Sequence, residues 1–147
     1  MDNLLKKLGW NAFFGEHFSE YVGFYEPARV SNVYKNGYKV YNKDGEMRAR
    51  ISGNLRQNGE LPAVDDWVVI SKDNIGSATI DAILPRKSKF SRKESGKVTK
   101  EQIIVTNIDT IFIVTGTVKN LGVFENCVLI NNFIYSRSNF LFNEIET

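Results

Sequence analysis

Between Arg86 and Lys100 stand Arg86, Lys87, Lys89, Arg92, Lys93, Lys97 and Lys100 against a single acid, Glu94. The whole chain carries a formal net charge of only +2. The residues outside this stretch are therefore acidic on balance, and the positive charge is concentrated in one place. Cations packed this densely can neutralise several phosphates at once, which makes binding to a polyanion steeply salt-dependent. Phe90 lies among them and offers a ring for stacking, and the hydroxyls of Ser88, Ser91 and Ser95 can donate to phosphate oxygens. The competing reading of the same residues is a solvated charged linker between two folded pieces.

Other chemistry finds little support. A phosphate-cradling loop needs G-x-x-x-x-G-K-[ST], but Gly96-Lys97 is followed by Val98, and Ser91 stands where the first glycine belongs. Asn42-Lys43-Asp44-Gly45 approaches the guanine-reading N-K-x-D but has glycine at the carboxylate position, so it reads as a β-turn. Asp73-Asn74-Ile75-Gly76 fits D-x-x-G and reads as a turn for the same reason. His17 and Cys127 are single, so an intrachain disulfide and a cysteine-based zinc site are excluded. Asp65-Asp66 is expected to shape the turn before Trp67. No hydrolytic or redox constellation emerges, and no independent enzyme is expected. Hydrophobic residues make up 42% of the 147 and charged residues 24%, ordinary proportions for a globular chain. The start lacks a signal-peptide pattern and no run approaches the length of a membrane span, so a cytoplasmic protein without membrane contact is expected.

The elements that position these residues change character along the chain. Residues 2–21 have helix-like apolar spacing. After Pro27 the rhythm becomes that of short strands: 28–35, the Asn36-Gly37 turn, 38–42, the Asp44-Gly45 turn, 46–52, a longer connection over 53–66, then 67–71 and 77–84. Three strands, a long connection and two more are the layout of a five-stranded OB barrel, with an SH3-like barrel as the alternative. In the third strand Met47, Ala49 and Ile51 alternate with Glu46, Arg48 and Arg50, so an apolar face inward turns the arginines out. Lys39 and Tyr41 can share that outer face, with Lys35 and Lys72 at the flanking loops. Cations beside an aromatic on such a face suit single-stranded nucleic acid, and a plain solvated face is the alternative.

Beyond the basic stretch, 103–105 and 110–115 are β-branched and apolar, as in a buried parallel strand of an α/β domain. The expected organisation is a helical lead-in (1–26), a mainly β OB-fold domain (27–85), a basic connector (86–102), the first strand region of an incomplete α/β domain (103–116) and an unassigned tail (117–147).

An ordered series of segments carries a resemblance: LGWN (8–11), GEMRARISG (45–53), LPAVDDWV (61–68), ATIDAILPRKS (78–88), FSRK (90–93) and EQIIVTNIDTIFIV (101–114). Over roughly residues 4–115 the chain resembles the small ribosomal subunit biogenesis GTPase family, RsgA. The resemblance implies an N-terminal OB domain that binds ribosomal RNA. In the family a circularly permuted GTPase domain and a small zinc domain follow, and GTP is hydrolysed on the small ribosomal subunit. Its partners would be that subunit and its RNA, with a monomeric protein expected. After Val114 the match stops, so no residue for GTP, magnesium or zinc is carried over, and a truncated or frame-shifted member is expected. The alternatives are an intact GTP hydrolase and a non-functional remnant. The candidate RNA-binding residues are Lys35, Lys39, Tyr41, Arg48, Arg50, Lys72, Arg86, Lys87, Lys89, Phe90, Arg92, Lys93 and Lys97.

Overall fold

Short strands with an apolar face bury it together when the sheet closes on itself. In the computed structural model, which describes residues 3–93, 101–109, 128–130 and 133–135, this closure gives a five-stranded barrel. Its strands are β1 (Glu26–Tyr34), β2 (Gly37–Asn42), β3 (Gly45–Ile51), β4 (Trp67–Lys72) and β5 (Ser77–Ile83). They run in the order β1-β2-β3-β5-β4, and β4 pairs back to β1. All neighbours are antiparallel except β3 and β5, which run parallel. That order is the OB arrangement, and it decides against the SH3-like alternative. Gly45 turns the β2–β3 hairpin at φ +119°, where a side chain would be strained. Gly37 has a different reason to be glycine: an added Cβ would stand 3.0 Å from the Ala49 carbonyl oxygen.

Ala28, Val30, Tyr38, Val40, Ala49, Val68, Ile70, Ala78 and Ile80 fill the barrel. The connection expected over 53–66 contains a short helix, α3 (Gly53–Gln57), which follows α1 and α2 of the lead-in described below. Ser52 caps it by accepting from the Leu55 amide at 3.2 Å, and Leu55 joins the barrel core.

β4 explains the lead-in. Val68 and Ile70 face the barrel interior, while Trp67 and Val69 point the other way and are equally buried. Their cover is α1 (Asn3–Lys7) and α2 (Ala12–Phe18), which bring Leu5, Trp10, Phe14 and Phe18 onto them. Trp10 meets Trp67 edge-on with ring centroids 4.7 Å apart. The Asn11 side chain caps α2 by accepting from the Phe13 amide at 3.1 Å. Arg29 Nη1 donates to the Leu8 carbonyl, and the guanidinium lies 5.9 Å from the Trp67 ring centroid. The expected separate lead-in, 1–26, is thus part of the barrel unit, which runs from Met1 to Arg86. A strand buried on both faces reads as an unbroken apolar run, and WVVI is that run.

The second unit is residues 87–147. Within it β6 (Lys89–Lys93) pairs antiparallel with β7 (Glu101–Thr106). Two expectations are corrected here. Residues 89–93 and 101–102, expected as connector, are strand: 89–93 form β6, and 101–102 open β7, whose apolar run gives β6 a pairing edge. The register runs from Lys89 opposite Thr106 to Lys93 opposite Glu101. Residues 103–105 are antiparallel, not parallel, and Ile104 is exposed rather than buried on both faces. A reciprocal clasp closes the base of the pair. Ser88 Oγ donates to the Ile108 carbonyl at 3.0 Å and accepts from the Ile108 amide at 2.8 Å. In the tail expected to be unassigned, β8 (Val128–Ile130) pairs antiparallel with β9 (Phe133–Tyr135). The strand expected over 110–115 lies outside the described residues, as do Lys97, Ser95 and Cys127.

Candidate nucleic-acid interface

The β2–β3 ladder sets Lys39 opposite Arg48 and Tyr41 opposite Glu46. Ala49 is buried while Met47 and Ile51 pack against the core, so Glu46, Arg48 and Arg50 point outward, as the alternation predicts. Lys39 and Tyr41 share this outer face. β5 extends it, with Ser77 paired to Arg48 and Thr79 to Arg50. Arg48, Arg50 and Lys35, the last at the β1–β2 turn, are exposed and have no ion-pair partner among the described residues.

Glu46 is the residue that sequence reasoning passed over. Its Oε2 accepts from the Tyr41 hydroxyl at 2.5 Å, and its Oε1 lies 2.9 Å from Lys39 Nζ. The Tyr41 hydrogen bond, with Lys39 behind it, holds the Glu46 carboxyl below its ordinary value. The same contacts raise the Lys39 ammonium and the Tyr41 phenol above theirs. The carboxylate therefore stays ionised at neutral pH and stands among cations. Its signal in the sequence was the cross-strand position opposite Tyr41, which becomes legible once the Asp44-Gly45 turn fixes the register.

Lys72 is engaged elsewhere. Its Nζ lies 2.7 Å from Glu26 Oε2 and also bonds Asp44, while Lys43 stands 3.4 Å from Glu26 Oε1. Burial alone would raise the Glu26 carboxyl, but Lys72 and then Lys43 outweigh it and leave it lowered. Burial likewise opposes charge on Lys72, and its two carboxylates overcome that and raise it. This network ties the β4–β5 end to the β2–β3 turn.

Arg86 is also committed. Its Nε donates to Asp66 Oδ1 at 2.7 Å and its Nη2 to Asp66 Oδ2 at 2.6 Å. Asp66 is 0% exposed and also accepts from the Ala63 amide at 2.7 Å. Asp66 does shape the turn before Trp67, as expected, and Arg86 neutralises it there. Arg86 thus differs from the rest of the basic stretch in that its Nε and Nη2 hold a buried carboxylate of the barrel unit.

Of the remaining basic stretch, Lys87 is exposed, and Lys89 and Phe90 are half-buried on β6. Arg92 and Lys93 continue that strand. Ser91 is buried and the Ser88 hydroxyl is held by Ile108, so neither is presented to a phosphate. His17 Nδ1 lies 2.8 Å from the Phe13 carbonyl oxygen, a contact within its own helix. No described helix is long and apolar enough to cross a membrane.

No family model matches the chain. It is 40% identical over 123 residues to the small ribosomal subunit biogenesis GTPase RsgA of Syntrophotalea carbinolica, covering 76% of this chain and 34% of that protein. It is 39% identical over 115 residues to the RsgA of Methanosarcina acetivorans, covering 78% and 31% respectively. The chain thus spans about a third of the length of the curated relatives it matches. Among solved structures, YjeQ from Thermotoga maritima aligns at 22% identity with a TM-score of 0.46, over 58% of this chain and 28% of that one. The sequence matches, on a chain whose barrel has OB order, mark it as an RsgA-like N-terminal region.

Proposed function

We propose that this region is an RNA-gripping barrel that holds its protein to the small ribosomal subunit in the cytoplasm. The contact surface is the outer β2–β3 face: Arg48 and Arg50 with Lys39, and Lys35 at the adjoining turn. One observation carries the reading. Arg48 and Arg50 stand exposed on one strand face with no carboxylate spent on them among the described residues, whereas Lys72 and Arg86 are neutralised. A cation without a protein partner is available to a phosphate at little desolvation cost. Lys87 and Lys89, with Arg92, Lys93 and Lys97, form a second basic segment that the same polyanion can use. The GTP hydrolysis in the relatives' name is not assigned to these residues, and no nucleotide, magnesium or zinc is proposed to bind them.

The test is equilibrium binding of the whole chain to purified small subunits across a salt series. Replacing Arg48 and Arg50 with alanine is expected to weaken binding and reduce the slope of log K against log salt by about one unit for each phosphate no longer neutralised. Adding GTP is expected to leave the affinity unchanged. An unaltered slope removes this face from the interface, and a GTP-dependent affinity returns nucleotide binding to the chain.

A further inference from the structure

A face built solely to hold phosphates has no use for Glu46. Its carboxylate repels the backbone that Arg48 and Arg50 attract. It is nevertheless fixed at two points, by the Tyr41 hydroxyl on Oε2 and by Lys39 Nζ on Oε1. A lone surface ion pair would contribute little to stability and would not require the second tether. A carboxylate has about four acceptor sites on its two oxygens, so each oxygen keeps capacity after these contacts. What remains is acceptor capacity on both oxygens of a carboxylate that is held in place, 43% exposed, beside a cationic strand.

Resting on the RNA-binding reading, we propose that Glu46 reads the Watson–Crick edge of an unpaired guanine. Guanine is the base that presents two adjacent donors, N1–H and N2–H, to such a carboxylate. Uracil and cytosine each offer a single donor group there, and adenine offers its N6 amine beside an acceptor. Unpaired bases are read in this way, by hydrogen bonds to their exposed edges, whereas duplex RNA is not. Tyr41 and Lys39 become positioning residues that hold the carboxylate, while Arg48 and Arg50 neutralise the flanking phosphates. Pre-organisation matters because a free glutamate would lose its rotamer freedom on binding, and this one has already given it up.

The test measures affinity of the whole chain for single-stranded RNAs of about eight nucleotides, a length within the range one OB barrel covers. One probe is all uracil. Others carry one central guanine, adenine, cytosine or inosine, inosine keeping N1–H but lacking the N2 amine. A bidentate base contact at a solvent-facing site is expected to favour guanine over uracil by about 5- to 10-fold, with inosine losing most of that gain. Glu46→Gln is expected to abolish the guanine preference while raising affinity for the all-uracil probe, because a negative charge is removed. Glu46→Asp keeps the charge but withdraws the carboxylate, and is expected to lose the preference as well. Equal affinity for guanine and uracil in the wild-type chain overturns the proposal. So does a Glu46→Gln chain that gains uniformly on every probe and keeps its ranking, which would make Glu46 a charge neutraliser. Salt-dependent binding of the all-uracil probe supports the RNA reading independently of guanine, and failure to bind any probe at low salt overturns that reading together with this one.

Discussion

Arg86→Ala is expected to destabilise the barrel unit by about 3–5 kcal/mol, the range found when one partner of a buried ion pair is removed. The asymmetry of the site sets the size. Asp66 is fully buried, while the Arg86 side chain retains 23% exposure. Taking away the guanidinium strips a buried carboxylate of its bidentate cation, with the neutral Ala63 amide still donating to it. Asp66→Ala also costs, through the unpaired Ala63 amide and an uncompensated guanidinium, but Arg86 can partly turn to solvent. The Arg86 variant is therefore expected to be the worse of the two. Urea unfolding measures both, and losses below about 1 kcal/mol would mean that the pair is worth no more than a surface contact. The functional consequence is practical. A loss of subunit binding in Arg86→Ala would mix lost stability with lost charge, so a charge-removal series that maps the RNA contact starts from Arg48 and Arg50.

Phe14→Ala is expected to cost about 3–5 kcal/mol, the usual penalty for emptying a large aromatic site. Phe14 is 2% exposed, with its ring centroid 5.7 Å from that of Trp67 and 6.0 Å from that of Trp10. The mode of loss is more telling than its size. Trp67 and Val69 belong to β4, whose other face carries Val68 and Ile70 into the barrel core. Loosening the helices therefore uncovers a barrel strand directly. One cooperative transition is expected, with a lower urea midpoint and an unchanged slope. A second, separate transition, or a barrel midpoint that does not move, would show that the lead-in folds on its own.

Most of the barrel is legible in the residues themselves. Period-two alternation in 46–52 and the Asn36-Gly37 and Asp44-Gly45 turns fix three strands and their register, because a one-residue slip would expose Ala49 and bury Arg48. β4 reads as an unbroken apolar run, but what covers its second face does not. WVVI shows no alternation, and its cover lies some fifty residues away in Trp10 and Phe14. The site is half legible for a related reason. Sequence locates cations and not their partners. Arg86 and Lys72 look as free as Arg48 until Asp66, Glu26 and Asp44 are brought to them by the fold. The strand character of 89–93 is hidden by its charge, which invites a linker reading although the pairing edge of β7 follows in the chain.

Site-specific photo-crosslinking tests most directly whether the outer β2–β3 face meets RNA on the small subunit. A photoreactive side chain is placed at position 48, and in a second protein at position 16, where Glu16 is exposed on α2. α2 covers the Trp67 and Val69 side of β4, away from the β2–β3 face. With purified small subunits, label at position 48 is expected to transfer to ribosomal RNA and label at position 16 is not. Transfer from position 16 with none from position 48 would contradict RNA binding by the β2–β3 face.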